Sequence, residues 1–317
     1  MDKENKPSIP RAAIRMENGE IAEVRGIASE QNLDPYIGSV VDQKLGEFAD
    51  GKGYQKKSED MKRLTEIDRR EKNGESLTKE DLKFLYEIES KIEGFGYEKD
   101  PRIEEILGYR DVRSDLVLST GYSPEQISMT EEEALSGGIK FHYGDLNLGE
   151  LESAEGLELP ESVGGDLDLS ELKSAEGLKL PESVGGGLYL YRLESAEGLE
   201  LPKRVGGDLN LNGLESAEGL KLPESIRGFL DLGGLKSAKG LELPESVGGD
   251  LDLSELKSAE GLELPKRVGG DLNLRGLKSA EGLELPESVG GRLYLSGLKS
   301  AEREELQKKY PQLRIAA

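Results

Sequence analysis

Residues 166–186, DLDLSELKSAEGLKLPESVGG, decide the fold of this chain, because its C-terminal half consists of copies of them. Eight copies follow one another without gaps, each beginning 21 residues after the last. They begin at Asp145, Asp166, Gly187, Asp208, Phe229, Asp250, Asp271 and Arg292. A unit of this length cannot bury its own apolar face, so the copies must stack on one another.

Each copy opens with two leucines on either side of one variable residue, as Leu167 and Leu169 do. This period of two predicts a β-strand with one buried face. Every copy runs in the same direction, so the strands must be parallel, and eight rungs spaced about 4.8 Å apart would extend roughly 35–40 Å. A second Leu-x-Leu run, Leu178 to Leu180, follows eleven residues later. We assign Gly185-Gly186 to a tight corner, because glycine tolerates positive φ.

The period, the Leu-x-Leu strand and the Leu-Pro pair at Leu180-Pro181 resemble those of leucine-rich repeats. Those repeats place an asparagine three residues after the second strand leucine, where this chain has Leu172 and its equivalents. The internal asparagine ladder that the resemblance implies is therefore missing. We expect the invariant serine of each copy, such as Ser174, to replace it by hydrogen bonding to turn backbone. The alternative is that serine is simply small at a tight corner.

A second resemblance concerns the sequence between Ile14 and Tyr143. It is carried by the stretches IRMENGEIAEVRGIA, LTKEDLKFLYEI and IEGFGYEKDPRIEEI. These stretches look like the N-terminal region of uncharacterised repeat proteins of candidate-phylum bacteria. With the repeats included, this resemblance covers nearly the whole chain, and it implies no activity.

The sequence predicts an α+β chain in three parts. Residues 1–55 form a disordered start, a hairpin around Asn18-Gly19 and a connector. Residues 56–138 form a mainly helical domain, and residues 139–317 form the leucine-rich-repeat-like solenoid with its caps. The β-prone stretch Ile139 to Tyr143 should close the first rung, because the end of a repeat array must be covered.

Four further stretches carry helix signals. Lys56 to Lys72 has an apolar stripe on a charged background. Thr78 should cap a second helix, whose apolar residues continue to Ile92. Asp100 followed by Pro101 is typical of a helix start. The charged segment Arg303 to Tyr310 replaces the usual end of the last copy, and we expect it to be a C-terminal helical cap.

Composition limits the possible functions. The formal net charge of −22 disfavours binding to nucleic acid and leaves a protein partner, with a basic one favoured. The chain has no cysteine, no apolar signal region at its start and no run of about 18 apolar residues. We therefore expect a cytoplasmic protein without membrane insertion, disulfides or cofactors.

No catalytic motif stands out in the sequence. His142 is the only histidine, and in a strand-like cap it is best interpreted as a structural residue. No phosphate-binding loop, nucleophile elbow or metal-ligand spacing is present. We therefore predict a protein that is not an enzyme, although an unrecognised site within residues 28–140 is the third possibility.

Variation among the copies is concentrated at the exposed strand positions and the two residues that follow the strand. An exposed cluster of aromatic residues and arginine is typical of a contact hot spot. The candidates for partner binding are Tyr189, Tyr191, Arg192, Phe229, Asp168, Asp231, Asp252 and Tyr294. They predict a protein-interaction scaffold, with neutral drift at solvent-exposed positions as the other explanation. The alternative function is a structural or cell-surface spacer rod whose aspartates bind divalent cations weakly.

Overall fold

The structure is a computed structural model that describes residues 12–17, 20–26, 38–45, 51–95 and 99–316. These residues belong to two compact units. The first unit comprises Met1–Ser76 and Ile92–Gly108, and the second comprises Leu77–Lys91 and Tyr109–Ala317. The fold class is confirmed, since a helical N-terminal region precedes a parallel β-solenoid with a C-terminal helix.

The predicted hairpin is confirmed by two antiparallel strands, β1 (Ala12–Glu17) and β2 (Glu20–Gly26), whose register shifts between Arg15 and Met16. The turn Asn18-Gly19 lies outside the described residues. The helices are α1 (Gly38–Leu45), α2 (Gly51–Lys72), α3 (Lys79–Leu85), α4 (Pro101–Leu107), α5 (Val112–Thr120), α6 (Glu131–Ala134) and α7 (Ser300–Lys309). A short 3₁₀ turn covers Pro124–Gln126.

In the first unit the hairpin packs against α1 and the start of α2. Ile21 and Leu45 are buried in this small core, and the Tyr54 hydroxyl accepts a hydrogen bond from the Val24 N–H at 2.9 Å. Helix α4 begins as predicted, with Asp100 as cap and Pro101 at the first position.

Helix α3 begins where the sequence predicts, because Thr78 and Asp81 form a reciprocal capping box. The prediction that this helix continues towards Ile92 is wrong. Glu87 adopts a left-handed φ of 53°, and the Ile88 N–H donates to the Lys83 carbonyl at 3.0 Å. These two features form a Schellman motif, so the helix ends before Glu87, which is the residue in the left-handed conformation.

The solenoid is built around a nine-stranded parallel sheet, called the main sheet below. Eight of its strands come from the Leu-x-Leu segments, whose leucines lie in register with those 21 residues away, and the ninth comes from the C-terminal cap. The backbone N–H of Leu167 donates to Gly187 O at 2.8 Å, and that of Leu169 to Tyr189 O at 2.9 Å. The strands are β5 (Leu146–Asn147), β7 (Leu167–Asp168), β9 (Leu188–Tyr189), β11 (Leu209–Asn210), β12 (Leu230–Asp231), β14 (Leu251–Asp252), β16 (Leu272–Asn273), β18 (Leu293–Tyr294) and β19 (Ile315–Ala316).

A second set of parallel strands comes from the residues just before the glycine pairs, where the sequence predicts no strand, together with two strands of the N-terminal cap. One sheet contains β3 (Ile127–Ser128), β4 (Phe141–His142), β6 (Ser162–Val163), β8 (Ser183–Val184) and β10 (Arg204–Val205). The other contains β13 (Ser246–Val247), β15 (Arg267–Val268) and β17 (Ser288–Val289). Between them, Ile226 forms only isolated bridges to Val205 and Val247, in the copy where Arg227 replaces a glycine. The second Leu-x-Leu run forms no strand.

The glycine pair is required for a reason other than the predicted one. A Cβ at Gly185 would lie 2.2 Å from the carbonyl oxygen of Gly164, and one at Gly186 would lie 2.0 Å from Asp166 Oδ1. The positive φ belongs instead to the glycine of Ser-Ala-Glu-Gly, for example Gly177 with φ 77°. The glycine pair therefore permits close stacking of rungs, while the other glycine makes the turn.

The serine column bonds turn backbone, as predicted, but it is not an internal ladder. Ser174 is exposed, and its hydroxyl accepts the N–H of Glu176 at 3.1 Å within the same turn. The same bond recurs at Ser195 and Ser258. The serines of the first seven copies thus close their own turns and connect no rungs, while Ser300 of the last copy begins α7.

Both ends of the array are covered. Strand β4 confirms that Ile139 to Tyr143 serves as an N-terminal cap, and β3 extends that cap by one strand. At the other end α7 buries Leu306, and β19 pairs with the last full rung. The segment after α3 contacts the second set of strands, where Arg204 Nη2 donates to Ile88 O at 3.2 Å.

Candidate interaction surface

The outward side chains of the main sheet stand in two columns. The leading column precedes the first strand leucine and consists of Asp145, Asp166, Gly187, Asp208, Phe229, Asp250, Asp271 and Arg292. The central column lies between the two leucines and consists of Asn147, Asp168, Tyr189, Asn210, Asp231, Asp252, Asn273 and Tyr294. Together with the residue that follows the second strand leucine, such as Tyr191, they are called the strand face.

The aspartates of the leading column connect neighbouring rungs. The Oδ1 atom of Asp166 accepts the N–H of Gly187 at 2.7 Å, and Asp208 accepts the N–H of Phe229 at the same distance. Asp145, Asp250 and Asp271 make the same bond to the residue 21 positions later. Side-chain bonding between rungs, which we expected from serine, is thus provided by aspartate.

In the central column, most side chains bend back to their own turn. The Oδ1 atom of Asp168 accepts the N–H of Ser170 at 2.9 Å, and Asp252 accepts that of Ser254 at 2.8 Å. Asp231 and Asp252 are neighbours in this column, and each is held by an asparagine on its other side: Asn210 Nδ2 donates to Asp231 Oδ2 and Asn273 Nδ2 to Asp252 Oδ2, both at 2.8 Å. Among the residues that the structure describes, no group of three or more carboxylates or histidines is arranged to hold a metal ion.

Removal of one leading-column aspartate should weaken the array measurably. In an Asp250→Ala variant the N–H of Asp271 loses an acceptor at 2.7 Å, and we expect the free energy of unfolding to fall by about 1 kcal/mol. The Asp250→Asn variant keeps the acceptor atom, so we expect its free energy of unfolding to fall by less than half as much. Urea unfolding of the three proteins tests this, and equal losses in both variants would contradict the role of the hydrogen bond.

Tyr189 and Tyr191 form the most distinctive feature of the strand face. Their rings stack with centroids 5.7 Å apart and planes inclined by 9°. Tyr189 extends over Gly187, where a Cβ would lie 2.6 Å from the phenolic oxygen, and its hydroxyl is 3.5 Å from Asp166 Oδ2. Burial and the nearby carboxylates of Asp166 and Asp208 raise the pKa of Tyr189 to about 12.

Tyr191 is the exposed member of the pair, with 45% of its surface accessible. Partial burial raises its pKa, and the carboxylates of Asp168, Asp231 and Asp208 raise it further. Arg192 follows in the chain and pairs with Glu171 at 2.8 Å, and both side chains remain exposed.

The structure brings only some of the predicted residues together. Tyr189, Tyr191 and Arg192 share one rung, and the carboxylates of Asp168 and Asp231 act on Tyr191. Phe229 is half-buried in the leading column. Asp252 is held by Asn273, one rung beyond Asp231. Tyr294 lies five rungs from Tyr189 in the strand order, and its hydroxyl contacts Asp271 at 3.3 Å.

Gly187 is not among the predicted partner-binding residues, although Tyr189 extends over it. Its signal is present in the chain, because the copy that contains Tyr-Leu-Tyr has glycine where five copies have aspartate. The sequence identifies Asp166 and Asp208 only as acidic residues. Their effect on the pKa of Tyr189 depends on the stacking of the rungs, which brings them close to its ring.

His142 has the structural position expected for it. It is buried, its Nδ1 is 2.9 Å from Ser128 Oγ, and its Nε2 is 3.1 Å from Asp145 O. These contacts tie β3, β4 and the first copy together.

Comparison of the chain with known protein families, curated proteins and solved structures found no match. Within the described residues, none of the helices has the length and apolar character needed to cross a bilayer. Any functional argument therefore depends on the strand face itself.

Proposed function

We propose that the chain is a non-enzymatic scaffold that binds a partner protein on the strand face of its solenoid. The observation that carries this proposal is the stacked pair of Tyr189 and Tyr191, with Tyr191 45% exposed on an ordered sheet. Tyrosine is enriched in binding hot spots because it buries a large area and loses little conformational entropy. Here the stack and the Asp166 contact already fix Tyr189 before any partner binds.

Hydrogen bonding in the leading column argues against the spacer rod with divalent cations. Its aspartates use one carboxylate oxygen to hold the next rung, so their conservation among the copies has a structural reason. A rod that only separates other parts also needs no exposed aromatic stack. We further propose that the rungs are of the leucine-rich-repeat type, with the asparagine ladder replaced by aspartate. The cytoplasmic location and the lack of enzymatic activity remain predictions.

A Tyr191→Ser variant tests the proposed surface. The full chain, immobilised, should retain a set of proteins from a lysate of its source cells, and the variant should retain at least one of them about tenfold less, as expected for loss of a hot-spot side chain. Quantitative mass spectrometry of the two eluates measures this.

The matched control for this test is Tyr294→Ser. It removes the tyrosine that is equivalent to Tyr189 in the last copy, where Ser296 stands at the position of Tyr191 and no tyrosine pair exists. The control should retain the same proteins as the parent chain. Identical eluates from the parent chain and the Tyr191→Ser variant would exclude this surface.

A further inference from the structure

Charges are compensated differently on the strand face and elsewhere on the rungs. Three lysines outside the strand face pair with the glutamate 21 residues earlier: Lys203 with Glu182 at 3.1 Å, Lys236 with Glu215 at 3.7 Å and Lys266 with Glu245 at 2.7 Å. Asp166, Asp168, Asp208 and Asp231 form no ion pair with lysine or arginine anywhere in the described parts of the chain. Their partners are backbone N–H groups and neutral side chains.

These four carboxylates surround the tyrosine pair, and the six residues together are called the tyrosine patch. Asp168 is paired in register with Tyr189, and Asp166 Oδ2 is 3.5 Å from the Tyr189 hydroxyl. Burial is the largest cause of the raised pKa of both hydroxyls, and the nearby carboxylates raise it further: Asp166 and Asp208 for Tyr189, and Asp168, Asp231 and Asp208 for Tyr191. Tyr189 stacks on one face of Tyr191, so the exposed area of Tyr191 belongs to the other face and the edge of its ring. Arg192 does not neutralise the patch, because it is paired with Glu171.

We propose that the tyrosine patch binds an arginine side chain presented by an extended segment of the partner protein. The guanidinium group would lie on the exposed face of Tyr191 and pair with the carboxylates of Asp168 and Asp231. Arginine fits better than lysine, because its planar group can stack on a ring and bond a carboxylate through two N–H groups at once. This inference rests on the proposed function and identifies the chemistry that the scaffold recognises.

Electrostatic attraction alone would not distinguish this patch from the rest of an acidic chain. The aromatic ring supplies the distinction, since a guanidinium over a tyrosine gains a cation–π interaction that a neutral group of the same shape lacks. Citrulline is such a neutral group, because it replaces one terminal nitrogen of arginine by oxygen. A pair of peptides that differ only in this respect isolates the charge.

The test uses calorimetric titration of the full chain with the peptide acetyl-Gly-Ser-Arg-Ser-Arg-Ser-Gly-amide and its citrulline counterpart. We expect the arginine peptide to bind about tenfold more tightly, and we expect Tyr191→Ser to remove most of that difference. Asp168→Asn should weaken binding of the arginine peptide while keeping the acceptor for Ser170. Glu176→Gln removes one carboxylate from an exposed turn outside the strand face and should leave the affinity unchanged.

Three results would overturn the proposal. They are equal affinity for the two peptides, an equal loss of affinity in the Asp168→Asn and Glu176→Gln variants, and no binding of the arginine peptide at about 1 mM. If partner capture still depends on Tyr191 in any of these cases, the scaffold stands and only its preference for arginine is wrong. If the Tyr191→Ser variant also retains the same proteins as the parent chain, the proposed function is wrong as well.

Discussion

A Gly185→Ala variant is expected to lose about 2–3 kcal/mol of unfolding free energy. The new methyl group would lie 2.2 Å from the carbonyl oxygen of Gly164 and 2.9 Å from its carbonyl carbon. Both atoms belong to the backbone of the preceding rung, so neither can turn away as a side chain would. The rungs must separate locally, which weakens the hydrogen bond from the Gly185 N–H to Val163 O at 2.8 Å. Urea unfolding followed by circular dichroism measures the loss.

Gly187→Ala is the matched control, because it adds the same methyl group in the next rung. Its Cβ would meet the phenol of Tyr189 at 2.6 Å, and that group can swing outward on its side chain. We expect a smaller loss of about 1 kcal/mol, because only a side chain has to move, together with displacement of Tyr189 from Tyr191. Equal losses in the two variants would show that backbone crowding is not what selects glycine at position 185.

The glycine pair illustrates what could and could not be predicted from the sequence. Its occurrence at a fixed place in most copies showed that a side chain is excluded there. Two mechanisms exclude a side chain, a positive φ and the close approach of another backbone, and a sequence does not distinguish them. Only the stacked rungs reveal that the atom opposite Gly185 is Gly164 O.

Strand prediction succeeded where the pattern extended over two leucines and failed where it did not. Leu167 and Leu169 have the period of a half-buried strand, and the main sheet follows from them. The Ser183–Val184 strand contains one buried residue, so it has no period to detect. Its pairing is imposed by the main sheet, because stacking one side of a rung brings the other side into register with its neighbour.

The candidate surface was predicted only at the level of the rung. Adjacency in sequence placed Tyr189, Tyr191 and Arg192 together, and the structure agrees. Which carboxylates surround Tyr191 depends on rungs 21 residues apart, so Asp208 was missed. Conversely, Arg192 looked like an exposed contact residue, but its pairing with Glu171 of the preceding rung gives it a partner within the chain.

Truncation of one strand leucine should have the largest effect on stability of any substitution considered. Leu251→Ala removes three carbon atoms from a side chain that is fully buried in β14, far from either cap. We expect a loss of about 3–4 kcal/mol, because the lost burial is accompanied by a cavity that the surroundings cannot fill. Leu230 and Leu272 are in register with Leu251 on either side, and their backbones are fixed by the sheet hydrogen bonds. Equilibrium urea unfolding gives the difference.

Leu264→Ala is the matched control, since it makes the same chemical change in the same copy. Leu264 lies in the second Leu-x-Leu run, which forms no strand, and it is only partly buried against the core. Part of the apolar surface of Leu264 is already in water, so we expect Leu264→Ala to lower the free energy of unfolding by about half as much as Leu251→Ala. In a solenoid each rung is stabilised by its two neighbours, so a cavity at Leu251 weakens two interfaces at once. A loss at Leu264 as large as that at Leu251 would mean that the second run, rather than the main sheet, supplies the stability of the rungs.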